Sequence, residues 1–167
     1  MPTQIPNTNP NVIDLELPIE KRAFRFGKDD SRIVYINTSD FGFMERLPEA
    51  YKKLEELQGR VSEVSEGVEK PTDDTGIDDV MTGLGTMGGR LKALDTEMRA
   101  VVDELFNAPV SAAAAPDGSM YDLFDGNPRY ELVITVLIEQ FGKRYTDEFK
   151  KVKENVKKHA GKYKGMK

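Results

Sequence analysis

Few residue patterns in this chain could support chemistry. The most suggestive is Gly83-Leu84-Gly85-Thr86-Met87-Gly88, which has the spacing of a dinucleotide-phosphate loop. Such a loop needs a strand before it and a helix opening at it, so that free backbone amides can cradle a pyrophosphate. The residues before it, 78–82, read as helix, so a hinge is the better reading and no cofactor is expected. His159 is the single histidine and lies among lysines, without the orienting partner or co-ligands that a base or metal site needs. Asp73, Asp74, Asp78 and Asp79 lack the alternating ligands and central glycine of a calcium loop, so no metal is expected. Asn37-Thr38-Ser39 has the form of a glycosylation sequon but fits a turn and helix cap better. With no cysteine there is no thiolate nucleophile, disulfide or thiolate zinc site. The expectation is a protein that is not an enzyme.

Charge is the stronger signal. Residues 143–167 hold ten Lys/Arg against three acids, a net of +7. The remainder holds fourteen bases and twenty-six acids, a net of −12, giving −5 overall. A body this acidic argues against nucleic-acid binding except through the tail. The tail itself reads as a solvated helix end, as a docking site for an acidic or helical partner or a sister copy, or as a nucleic-acid contact. Apolar residues make up 38% and charged residues 32%, which favours a modest core and long helices over a large sheet. The start of the chain has neither the basic residues nor the apolar core of a signal peptide. The longest apolar run, 132–138, is too short to span a bilayer, so no membrane partner is expected.

These residues must be positioned by a small set of elements. Residues 1–11 carry three prolines and three asparagines and read as a disordered arm. Partial alternation over 12–19 suggests an edge strand. Two β-rich runs, 22–26 and 32–36, flank Gly27-Lys28-Asp29-Asp30-Ser31 and predict a β-hairpin. A helix follows, capped by Ser39 or Asp40, with a stripe at Phe43, Leu47, Tyr51, Leu54, Val61, Val64 and Val68. Pro48 either sits in its first turn or kinks it. A second stripe, from Ile77 to Leu105, predicts a firm helix over 90–106 and a loose, conditional one over the glycine-rich first half. Residues 107–119 read as a flexible small-residue linker, and 120–124 as a short apolar patch. The last helix starts with Asn127 as cap and Pro128 in its first position, then runs about 30 residues, roughly 45 Å. The expected fold is α+β: an N-terminal hairpin or small antiparallel sheet on about four helices, divided into 1–11, a body at 12–142 and a basic helix and tail at 143–167.

The order of features resembles a known family. A hairpin runs into Asp40-Phe41 and the helix with Glu49-Ala50-Tyr51-Lys52-Lys53-Leu54-Glu55-Glu56-Leu57. Later come Val101-Val102-Asp103-Glu104-Leu105-Phe106, a small-residue loop, Asp122-Leu123-Phe124-Asp125-Gly126 and a terminal lysine-rich helix. Over residues 20–160 this is similar to the tail assembly chaperones of long-tailed (siphovirus-type) bacteriophages of Gram-positive hosts. Here the loop is alanine-rich, and Asp125 separates Phe124 from Gly126.

The resemblance implies a non-catalytic protein that coats and solubilises the helical tape measure protein. It also implies recruitment of tail tube protein, through a longer form made by ribosomal frameshifting. Location in the host cytoplasm and absence from the mature virion follow. The alternatives are a structural virion component, such as a minor tail or head–tail connector protein, and a nucleic-acid-associated factor using the basic tail. The candidate client face is Tyr130, Val133, Leu137, Phe141 and Tyr145, with Lys150, Lys151, Lys157 and Lys158 beyond, backed by the helix at 90–106. Self-association is expected too, with tail lysines meeting the acids of a neighbouring body and weakening with salt.

Overall fold

The computed structural model describes residues 21–67, 74 and 76–164; within the last helix the side chains of 148, 149, 152, 153 and 155–164 lie outside the description. The expected arm at 1–11, the edge strand at 12–19 and Val68 fall outside the described residues.

Two strands, β1 (Lys21–Arg25) and β2 (Ile33–Asn37), pair antiparallel with Phe24 opposite Val34. The turn between them needs left-handed backbone at Gly27 and Lys28, and Asp29 closes it by accepting from the Ser31 amide and hydroxyl. Alternation gives β2 two faces: Val34 and Ile36 enter the core, while Ile33 and Tyr35 face out. The hairpin is therefore as expected.

Helix α1 (Gly42–Glu66) is started by Asp40, whose Oδ1 accepts from the Gly42 amide at 2.9 Å. Asn37 holds the turn before it by accepting from the Ser39 amide. Pro48 lies inside α1, beyond the first turn, and the helix runs through it. Proline here removes the donor for the Met44 carbonyl. Both Met44 and Pro48 lie on the exposed side, where water can serve that carbonyl. The inward stripe is Phe43, Ala50, Leu54 and Leu57; Tyr51, expected inside, is exposed. Ala50 takes its place because its small side chain lets neighbouring helices approach.

Helix α2 (Ile77–Phe106) is continuous, including the glycine-rich first half expected to be loose. It ends at Asn107, whose left-handed backbone (φ 49°) lets its amide cap the last turn. Lys53 on α1 reaches Glu104 on α2, and Arg60 makes a two-bond pair with Glu97, so α1 and α2 run antiparallel.

The 107–119 stretch departs from the expected linker. It forms α3 (Val110–Ala114) with turns on either side, and Val110, Ser111, Ala113, Ala114 and Ala115 are buried. Small side chains allow its backbone to lie against α2 and β2, and charged groups from both satisfy its polar atoms. Asp103 accepts from the Ser111 amide and hydroxyl, and Arg32 donates to the Ala113 and Ala114 carbonyls.

Strands β3 (Leu123–Phe124) and β4 (Asn127–Pro128) then form a second, minimal hairpin. Pro128 thus sits in a strand, not in the first helical turn. Helix α4 (Arg129–Lys164) opens without an Asn127 cap: the Arg129 and Tyr130 amides donate instead to the carbonyls of Asp122 and Met120. At 36 residues it runs about 54 Å and passes 142–143 without a break. Phe43, Phe106 and Phe141 stack together, with centroids 4.3 Å apart between Phe43 and Phe141, and so join α1, α2 and α4. The architecture is α+β, as expected, with an N-terminal hairpin, four helices and a small second hairpin.

Candidate partner-binding surfaces

The side chains expected to hold a client are core residues here. Tyr130, Val133, Leu137 and Phe141 are between 2% and 7% exposed, on the inner face of α4. Burying them follows from their spacing of three and four, which puts all four on the stripe that meets α1 and α2. The Tyr130 hydroxyl donates to Gln58 Oε1 on α1 at 3.1 Å. Burial pushes its ionisation up to about 12, helped by the charge of the adjacent Glu131. Tyr145 stacks on Phe41 and donates to the Asp40 carbonyl at 2.8 Å; burial raises its ionisation as well. A partner cannot reach these residues while the fold is closed. The inner stripe of 90–106 is likewise spent on the body through Leu94, Met98, Val101 and Leu105. Lys150 and Lys151 are exposed on α4, whereas the side chains of Lys157, Lys158 and His159 lie outside the description.

Gly83, Gly85 and Gly88 occupy the interior of α2. Amides there are committed to the helix ladder and cannot cradle a phosphate. Among the described residues no group of His, Cys, Asp and Glu is arranged to hold a metal ion, and no helix is long and apolar enough to cross a membrane.

Three surfaces remain open. The first is a groove between the C-terminal half of α1 and the second hairpin, lined by Gln58, Val61, Ser62, Ser65, Tyr121, Leu123 and Pro128. Its hairpin wall presents Leu123, 69% exposed, and Phe124, which lies under the Arg129 guanidinium at 5.0 Å. Arg129 also pairs with Asp122 at 3.4 Å, so the wall is tied to the start of α4. The sequence reading treated this stretch as a patch and missed the hairpin. Its signal was Asp125-Gly126, both with positive φ (49° and 78°), between paired Phe124 and Asn127. Two left-handed residues make the tight turn that matches strand twist, and Asp-Gly is a preferred pair for it.

The second surface is the first half of α2. The α1–α2 pairing sets Glu66, the last residue of α1, level with Leu91. Residues 77–90 therefore project past the end of α1 as an arm of about 21 Å. Ile77, Met81 and Leu84 on it are 79%, 64% and 46% exposed. The third surface is the outer side of α4, with exposed Leu132 and Val136 and, further on, Lys150 and Lys151.

The second hairpin is held from below by one pair on α2. Asp95 accepts from the Met120 amide, the Ser119 hydroxyl and Arg99 Nε, at 2.7–2.8 Å. Burial would raise the Asp95 carboxyl, but these hydrogen bonds and the Arg99 charge outweigh it and hold it below the usual value. No protein-family model, curated protein or solved structure matches this chain.

Proposed function

We propose that this chain is a non-catalytic assembly chaperone of a long-tailed bacteriophage. It would coat and solubilise the helical tape measure protein and help bring tail tube protein to it, the latter through a longer form of the chain. The observation that carries the reading is the groove between α1 and the second hairpin, walled by exposed Leu123. An amphipathic helix places apolar side chains every three or four residues, and an open groove with an apolar lip accepts such a row. The contact is small, so one copy would hold weakly and many copies along one client would hold collectively. That suits a coat that must be stripped as the tube grows. The lysines of α4 would add contacts to acidic neighbours. The order of elements along the chain supports the same reading: hairpin, antiparallel helix pair, packed small-residue loop, Asp-Gly turn and long basic helix.

The client site proposed from the structure therefore differs from the buried α4 face expected from sequence. The test is co-expression with a tape measure fragment from the same genome, followed by pull-down and light scattering. A soluble complex with many copies per client, lost in Leu123→Asp, is the expected result. A client that stays insoluble, with nothing co-purifying, would overturn the reading.

A further inference from the structure

We propose that the projecting arm of α2 is covered by the same arm of a second copy of this chain, laid antiparallel. The inference does not rest on the chaperone reading.

Apolar residues on α2 recur in alternating steps of three and four: 77, 80, 84, 87, 91, 94, 98, 101 and 105. This is the a/d seam of a heptad repeat. From Leu94 onward the seam is buried in the body. Before it, the same seam continues with nothing among the described residues covering Ile77 or Leu84. Thr82 and Thr86 lie away from the seam, their hydroxyls bonding back to the carbonyls of Asp78 and Thr82. The arm thus has one apolar face and one polar face.

Its charge distribution selects the occupant. Asp78 and Asp79 stand at the start of the arm, and Arg90 and Lys92 at its base. Two arms laid parallel would set like charges side by side. Laid antiparallel about a two-fold axis near Gly85, they bring the acidic end of each toward the basic base of the other and oppose the two helix dipoles. The same arrangement puts Leu84 beside the partner's Met87 and Val80 beside the partner's Leu91. A Cβ at Gly83, Gly85 or Gly88 would meet nothing within 4 Å in the single chain. The absent side chains are therefore not needed for packing inside the body, and they allow a second helix to approach closely. Each glycine costs a helix interior roughly 1 kcal/mol relative to alanine, so an unsupported arm is weakly helical and gains order from a partner. Two arms of this length make an interface smaller than that of most stable dimers, so association at concentrations on the order of micromolar is expected.

The test uses the full chain. Sedimentation across a concentration series should show a monomer–dimer equilibrium, weakened about tenfold or more by Leu84→Glu with circular dichroism of the body retained. Arg90→Glu with Lys92→Glu should also weaken it, and adding Asp78→Lys with Asp79→Lys should restore it. The chain has no cysteine, so single spin labels report orientation directly. Labels at Thr86→Cys should lie close together in the dimer, and labels at Gly76→Cys should be offset by roughly 28 Å along the axis. A monomer at every concentration, a dimer untouched by Leu84→Glu, or equal short distances at both labels would each overturn the proposal. Capture of a tape measure fragment through the arm by an otherwise monomeric chain would overturn it too, whereas failure of the Leu123 groove to bind that fragment would leave it standing.

Discussion

Asp95 and Arg99, one turn apart on α2, together hold the whole segment from α3 to the second hairpin. Arg99 Nε donates to Asp95, while its two terminal nitrogens donate to the carbonyls of Ser111, Ala115 and Gly118. Asp95 in turn accepts from Ser119 and from the Met120 amide. A segment of small side chains buries little apolar surface of its own, so this pair and its hydrogen bonds give the segment its place.

Removing either partner should be costly. Arg99→Ala leaves three carbonyls without a donor and Asp95 without its counter-charge, both side chains being largely covered (26% and 15% exposed). A loss of about 2–4 kcal/mol is expected. Urea denaturation of the variant would check it, with exchange of the 110–120 amides rising first.

The same pair sets an acid limit. The Asp95 carboxyl is held below its ordinary value of 3.8 in the folded chain. Its contribution is complete above that unfolded value and is lost as pH falls through the lower folded value. Stability should therefore drop as pH is taken below about 4, and Asp95→Asn, already destabilised at neutral pH, should show a shallower drop. Thermal melts of both proteins between neutral and acid pH would measure the difference.

At the alkaline end the sign reverses. Burial holds the phenols of Tyr121, Tyr130 and Tyr145 above their ordinary value of 10, that of Tyr130 at about 12. A raised acid stabilises the fold fully below the unfolded value and loses that contribution as pH climbs from 10 toward 12. The chain has no tryptophan, so tyrosinate absorbance reads cleanly. Part of the tyrosinate signal should appear only together with loss of helical dichroism in that range.

Thr38 offers a gain. It is fully buried, and its hydroxyl has no hydrogen-bond partner among the described residues. Thr38→Val keeps the shape and removes the unpaired polar group, for an expected gain of about 1 kcal/mol. A raised melting temperature with unchanged dichroism would show it, and a lowered one would mean that the hydroxyl is satisfied.

Local periodicity carried much of the fold. The first hairpin was legible because alternation at Val34 and Ile36 and the Gly27 turn are contained in a few consecutive residues. The helix stripes were legible for the same reason, since i, i+3 and i+4 neighbours lie on one chain segment. Tyr51 was misplaced because its period fits the stripe while the close approach of neighbouring helices favours Ala50. The second hairpin was overlooked because its strands are two residues each, too short for alternation to register.

By itself, then, the sequence determined the element types, the acidic body with its basic end, and the absence of cysteine chemistry. These depend on residue identity and short-range spacing alone. Only the tertiary structure decided which apolar stripe is covered and which is open. Tyr130, Val133, Leu137 and Phe141 are sealed by α1 and α2, whereas Ile77 and Leu84, on an equally regular stripe, lie beyond the end of α1. The same holds for the 107–119 segment, whose composition reads as linker but whose backbone is pinned by Arg32, Asp103 and Arg99. Contacts of that kind join residues up to 82 positions apart, and no local pattern records them.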